Sequence, residues 1–369
     1  MKQITNFILL KSLAVTLLSL ELGLVFYVIL DVNVLTNIVR QDGDADVLGY
    51  YYNIENRQTD DSAYESVFDN NVVIFDLDGS RSRADIARII HGIEDFSPAA
   101  VVLDVIFPDV SDNDVTSDSL LAETVARFDN IYTAVRINGD TVDRSFFSEG
   151  GKGRIKEGLV NHITKYRPYE ILEDDTIPYI CFAVAGIEGE ADEARLMNFL
   201  DKDFTVFSLV TEFSREDVEG KIILIGDLND GRDAHDMPFR IDGGWRVPGI
   251  RLLAHSCSTT LSGRWIIVCP QYAGWIVASV FTFLFLVFCY RLDEVERLHS
   301  SIRSLIVASV RIILIVLLLL GGFIMFSRYD IIVSPLYGIL SLTLTGFASA
   351  ILEVCNFILN KFIPLERKR

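Results

Sequence analysis

The chain is poor in the residues that usually carry redox and metal chemistry. Its 369 residues include five cysteines, five histidines, four methionines and three tryptophans. No CxxC pair and no Cys/His zinc spacing occurs, which excludes the common thiol-redox and zinc-ribbon designs. Neither a P-loop, a dinucleotide fingerprint nor a Ser-His-Asp or Cys-His arrangement is visible, so the sequence implies no cofactor. Basic charge is also scarce in the polar part of the chain. Seven of the 51 acidic residues and eleven of the 33 basic ones lie outside residues 31–268, which leaves 44 against 22 and a charge of −22 there. Nucleic acid, which needs basic patches, is excluded as a partner.

Long apolar runs are what the chain has, and they are unevenly placed. One covers 7–30, and three crowd the C-terminus at 269–290, 305–326 and 331–357. Each is long enough for a helix to cross a bilayer, which takes about 20 residues. Lys and Arg near membrane segments favour the cytoplasm. Lys2 precedes the first run, Arg291, Arg297 and Arg303 fill the 291–304 loop, and Lys361, Arg367, Lys368 and Arg369 follow the last run. This places residues 1–6, the 291–304 loop and the basic tail 358–369 in the cytoplasm, with domain 31–268 outside. Run 7–30 is too long for a cleaved signal peptide and carries Glu21, so it reads as an uncleaved anchor. Of the five cysteines, Cys269, Cys289 and Cys355 belong with the apolar runs. Cys181 and Cys257 remain for an external disulfide, although the apolar surroundings of Cys181 suit a buried free thiol equally well.

The domain opens with a buried strand at 72–77. Ser82-x-x-Asp85 is a capping box, and Ile86, Ile89, Ile90 and Ile93 then mark one face of a helix. A second strand at 100–107, a helix at 118–128 and a third strand at 131–135 follow. A β-α-β-α-β order implies an α/β domain with a mostly parallel sheet. Residues 204–209 and 219–226 read as further strands, 231–244 as a long loop, and Pro248-Gly249 as the start of a helix that ends at Gly263. His255 falls off the apolar stripe of that helix and reads as a capping or surface residue; His91 and His162 also read as surface. Residues 138–200 read as mixed short elements.

The order of these motifs resembles the CHASE2 domain, a bacterial extracytoplasmic sensory domain. The matching stretches are Val72 to Asp78, Pro98-Ala-Ala-Val-Val-Leu-Asp-Val-Ile-Phe107, Gly220-Lys-Ile-Ile-Leu-Ile-Gly226, Met237-Pro238 after Asp233, Pro248-Gly249 with His255, and Leu261-Ser-Gly-Arg264. One anchor before the domain and three spans after it is that family's usual layout. The family's frequent Trp-Pro stretch before the first helix is absent, and its members usually continue into a cytoplasmic output domain that is not seen after Arg369. The resemblance therefore implies a membrane-anchored sensor or scaffold, without its own output domain, that meets an extracytoplasmic ligand or protein and passes the signal to a separate cytoplasmic or membrane partner. The layout is compatible with a homodimer.

An alternative of another class stays open, an extracytoplasmic Mg²⁺-dependent phosphatase of the haloacid dehalogenase type. Phe75-Asp-Leu-Asp-Gly79 offers two carboxylates two residues apart at a strand end, able to bind the metal and attack phosphate. The spacing of that class is otherwise unmatched, and the non-enzymatic reading is preferred. The candidate ligand-binding residues are Asp76, Asp78, Asp104, Asp233 and His235; as metal ligands, Asp233, His235 and Asp236 are better explained as a solvated loop. Lys11, Glu21, Arg311 and Glu353 are charged within the apolar runs, where a lone charge is costly. From their depths, Arg311 and Glu353 are expected to pair across the last two helices, while Glu21, about 15 Å above Lys11, is expected to find a hydroxyl or stay protonated.

Overall fold

The computed structural model describes residues 2–33, 52, 67–79, 82–110, 114–139, 141–147, 152–156, 164–172, 175–187, 194–199, 202–208, 211–241, 244–295 and 299–362. His162, Arg297 and the basic tail beyond Phe362 lie outside them. The chain forms two compact units, one of residues 48–267 and one that combines residues 1–47 with 268–369.

The first unit is built on a seven-stranded sheet. Its strands are β1 (Val67–Asp76), β2 (Ala100–Leu103), β3 (Ile131–Asn138), β4 (Thr141–Asp143), β5 (Gly153–Ile155), β6 (Lys202–Ser208) and β7 (Ile222–Gly226). The order across the sheet is β6-β1-β7-β2-β3, with β4 and β5 both on the far edge of β3. All pairings are parallel except β3 with β4. The strands read as continuous apolar runs because both faces are covered. Val73, Phe75, Val101, Leu103, Ile223 and Ile225 face helices α1 (Arg83–Glu94) and α2 (Val115–Arg127) in one core. Residues of opposite parity, such as Ile74, Val102 and Leu224, are equally buried on the other face.

Local signals set the helix ends. Ser82 accepts from the Asp85 N–H, as the capping box requires. Gly263 closes α3 (Gly249–Ser262) with φ of 66°, a left-handed cap that glycine adopts without a Cβ penalty.

Three expectations need correction. The second strand stops at Leu103: the Asp104 N–H makes a last bond to β7, at the Ile225 carbonyl (2.8 Å), and the Phe107 N–H then bonds the Ser145 hydroxyl at 2.9 Å rather than a neighbouring strand. The presumed loop 231–244 is largely a hairpin strand, β8 (Ala234–Ile241), paired antiparallel with β9 (Gly244–Pro248). Finally, α3 is buried almost all round, so His255 is not at the surface but 3% exposed against Phe199 and Phe204. His91 is half-buried as well, with Nε2 3.2 Å from the Thr124 hydroxyl. Between β5 and β6 run two short antiparallel ribbons and the helix Ile180–Val184.

Among the described residues, the second unit has four helices long and apolar enough to cross a membrane: Lys2–Asn33, Gln271–Asp293, Ser300–Tyr329 and Leu336–Phe362. The first packs on the second and fourth. Ser341 joins all three, 3.1 Å from the Ser19 hydroxyl and accepting from Thr282 at 2.9 Å. Hydroxyl contacts of this kind satisfy polar groups where lipid offers no water.

The expected Arg311–Glu353 pair is not formed. Glu353 lies 3.5 Å from Lys11, and Arg311 instead donates to Thr345 at 3.3 Å. The helical rise determines depth but not which way a side chain turns, and the first helix lies against the fourth. Glu21 is exposed on its helix and makes no ion pair or hydrogen bond among the described residues.

Candidate functional site

Parallel strands deliver their carboxyl ends to one side of the sheet, and there the loops after β1, β2 and β7 meet. The chain steps from β1 to β2 to β3 in one direction; β6 lies on the opposite side of β1, and β7 returns between β1 and β2. A reversal of strand order of this kind leaves a crevice outside the carboxyl ends, where open α/β sheets bind ligands. A cavity of about 270 Å³ occupies it, lined by Asp104, Arg136, Lys156, Asp227, Asp230 and Asp233 among others.

Its centre is a buried charge network. Lys156 follows β5 directly, and its Nζ sits 3.1 Å from Asp104 and 2.9 Å from Asp233. The Lys156 and Asp104 side chains are 8% and 2% exposed. Arg136, on β3, approaches the other oxygen of Asp233 at 3.4 Å. Burial pushes the Lys156 ammonium towards its neutral form, but Asp104 and Asp233 outweigh that and hold its pKa above the ordinary lysine value. The lysine is therefore a fixed cation.

Glycines permit the close approach. A Cβ on Gly226 would lie 2.7 Å from Ile250 and 3.2 Å from the Asp104 side chain. One on Gly249 would lie 2.5 Å from the Asp233 carboxylate, and the Gly249 N–H bonds the Asp233 carbonyl at 2.6 Å. Asp233 is thus seated against the N-terminus of α3, where a negative charge is favoured.

The candidate residues divide. Asp104 and Asp233 share the cavity. Asp76 closes a turn instead: its Oδ1 accepts from the N–H groups of Leu228 at 3.0 Å and Asp78 at 3.1 Å. Asp78 is exposed in a left-handed turn conformation, φ 47°. His235 stands on β8 opposite Val247, half-buried and not on the cavity wall. No group of three or more His, Cys, Asp or Glu among the described residues is arranged to hold a metal ion. Cys181 and Cys257 are free and buried; burial pushes the Cys181 thiol up to about 12. Lys156 and Arg136 are the site residues that sequence reasoning missed. The one available signal was that both are cations in a strongly acidic domain, each at or next to a strand.

An acidic α/β domain with a polar cavity at its strand ends, in a chain whose described residues include four helices long and apolar enough to cross a membrane, fits a multi-pass transmembrane protein. The model of the CHASE2 domain matches residues 59–289, and the chain belongs to this family of extracytoplasmic sensory domains. Comparison with curated proteins returns no match. Comparison with solved structures returns none either.

Proposed function

We propose that this protein senses a small polar ligand in the cavity beside Asp104, Lys156 and Asp233, on the outer face of a bacterial cytoplasmic membrane, and passes the change to a partner protein. The observation that carries the reading is the cavity itself: about 270 Å³, at the carboxyl ends of the strands, walled by carboxylates and by Arg136 and Lys156. Walls of both signs suit a ligand that carries both signs, such as a small zwitterion. Asp227 and Asp230 face its cationic end and Arg136 its anionic end. The site works by binding; the carboxylate of Asp76 is committed to turn hydrogen bonds. The connection to the membrane is short in sequence, since α3 ends at Ser262 and the second apolar helix begins at Gln271. The basic residues flanking the apolar helices support the orientation.

A thermal-shift titration of the full chain in detergent, against small amino acids and dicarboxylic acids, tests this reading. A true ligand raises the unfolding midpoint of the wild type and loses most of that shift in Arg136→Gln, whose side chain is 39% exposed and removable without collapse. An unchanged shift in that variant would place binding elsewhere.

A further inference from the structure

The helical unit has its own cavity, about 310 Å³, between its second, third and fourth helices. Its walls are mixed. Phe285, Leu286 and Val307 are apolar, whereas Ser304, Arg311 and Ser349 are polar or charged. The ionic partners around it are already assigned. Arg303 lies 3.5 Å from Asp293, Arg291 lies 3.2 Å from Glu294, and Glu353 lies 3.5 Å from Lys11. Arg311 is the exception. Its guanidinium stacks over Phe285 at 5.4 Å and donates one hydrogen bond, to Thr345. Its Nε is buried with no hydrogen-bond partner, and no carboxylate among the described residues pairs with it. Arg311 lies eight residues, about 12 Å, further along its helix than Arg303, and so well inside the apolar segment.

A guanidinium at that depth is costly unless an anion meets it. Two carboxylates border the cavity, but Asp293 pairs with Arg303 and Glu353 with Lys11, so neither meets Arg311, and Ser304 and Ser349 add only hydroxyls. We propose that the cavity binds the phosphate group of an anionic phospholipid, with Arg311 as its principal contact. A phosphate accepts a guanidinium through two parallel hydrogen bonds, so it would use the unpaired Nε together with a terminal nitrogen. The apolar wall suits the start of the acyl chains. Basic pockets between membrane helices hold anionic headgroups in this way.

The test uses the full chain in a neutral detergent and reads the thermal unfolding midpoint with added phosphatidylglycerol, phosphatidylcholine or inorganic phosphate. Phosphatidylglycerol is expected to raise the wild-type midpoint by at least about 5 °C at saturation, and phosphatidylcholine by much less. Arg311→Gln is expected to abolish the difference. Should that variant fail to fold, Gly346→Leu serves: Gly346 lines the cavity and a Cβ there would meet nothing within 4 Å, so the larger side chain fills the space without a clash. Equal shifts with the two lipids, or a phosphatidylglycerol shift that survives either variant, overturn the proposal. A shift reproduced by inorganic phosphate alone assigns the site to a free anion and overturns the lipid.

Discussion

Replacing Lys156 by Met removes one charge and keeps most of the side-chain volume, so it isolates the electrostatics of the cavity. The lysine is 8% exposed and holds two carboxylates, of which Asp104 is 2% exposed and Asp233 18%. Breaking a buried pair by deleting one partner costs about 3–5 kcal/mol, because an uncompensated charge stays behind. Asp233 keeps Arg136, so the penalty falls on Asp104. For a unit of this size each kcal/mol moves the unfolding midpoint by about 2–4 °C, so the expected loss is about 6–20 °C. Burial also shields the pair from salt, and the loss should persist at high ionic strength. The assay is thermal unfolding of the full chain in detergent. The double variant Lys156→Met, Asp104→Leu removes the stranded charge as well, and should recover most of the loss rather than add to it. A midpoint change below about 2 °C in Lys156→Met, or a double variant that loses the sum of two separate penalties, would refute this account.

His255 is expected to make stability depend on pH. Burial, with Arg251 and Lys202 nearby, pushes its pKa down to about 3, so the folded chain leaves it neutral while the unfolded chain protonates near pH 6.5. Stability is therefore whole above that pH and falls by about 1.4 kcal/mol per unit as the pH drops towards 3. Asp69 also weakens the fold in acid, since Ser258, Asn71 and Lys202 outweigh its burial and hold its pKa below the ordinary value, but that loss begins only near pH 4. Denaturant midpoints of His255→Phe between pH 6.5 and 5 should thus be flatter than those of the wild type; an unchanged slope would refute the assignment. In the helical unit, Lys11→Met and Glu353→Gln should be non-additive by about 0.5–1 kcal/mol, while Arg311→Gln and Glu353→Gln should simply add. Coupling in the second pair and none in the first, read as detergent-stability midpoints, would mean that Arg311 is the true partner of Glu353.

Much of the fold was legible because local chemistry and global packing agreed. Val72 to Phe75 and Ile222 to Ile225 are apolar on both parities, as strands of a sheet covered on both faces are. Ser82 and Gly263 mark helix ends that the structure places within a residue. Legibility failed where a partner distant in sequence decided the outcome. Lys156 follows a three-residue strand that no periodicity announces, and it matters only because Asp104 and Asp233 converge on it. The hairpin β8–β9 carries a proline and charged residues that read as loop. His255 was misplaced because a single apolar stripe assumes one buried side, whereas α3 is buried almost all round. Of the candidate site, Asp104 and Asp233 were found from motif order and strand ends, whereas the cations between and beside them were not.

Strand β5 forms an edge of the sheet and holds it by three residue pairs, Thr133 with Gly153 to Val135 with Ile155. Beyond it the chain is anchored by the ammonium of Lys156. A short edge strand therefore hangs from the wall of the cavity. If the cavity takes a ligand as proposed, an occupant that competes for Asp104 or Asp233 would loosen that seam. Exchange of the amide hydrogens along 152–156 would then act as a gauge of what the cavity holds, and the border of the sheet would be the first part of the domain to register the arrival of a guest.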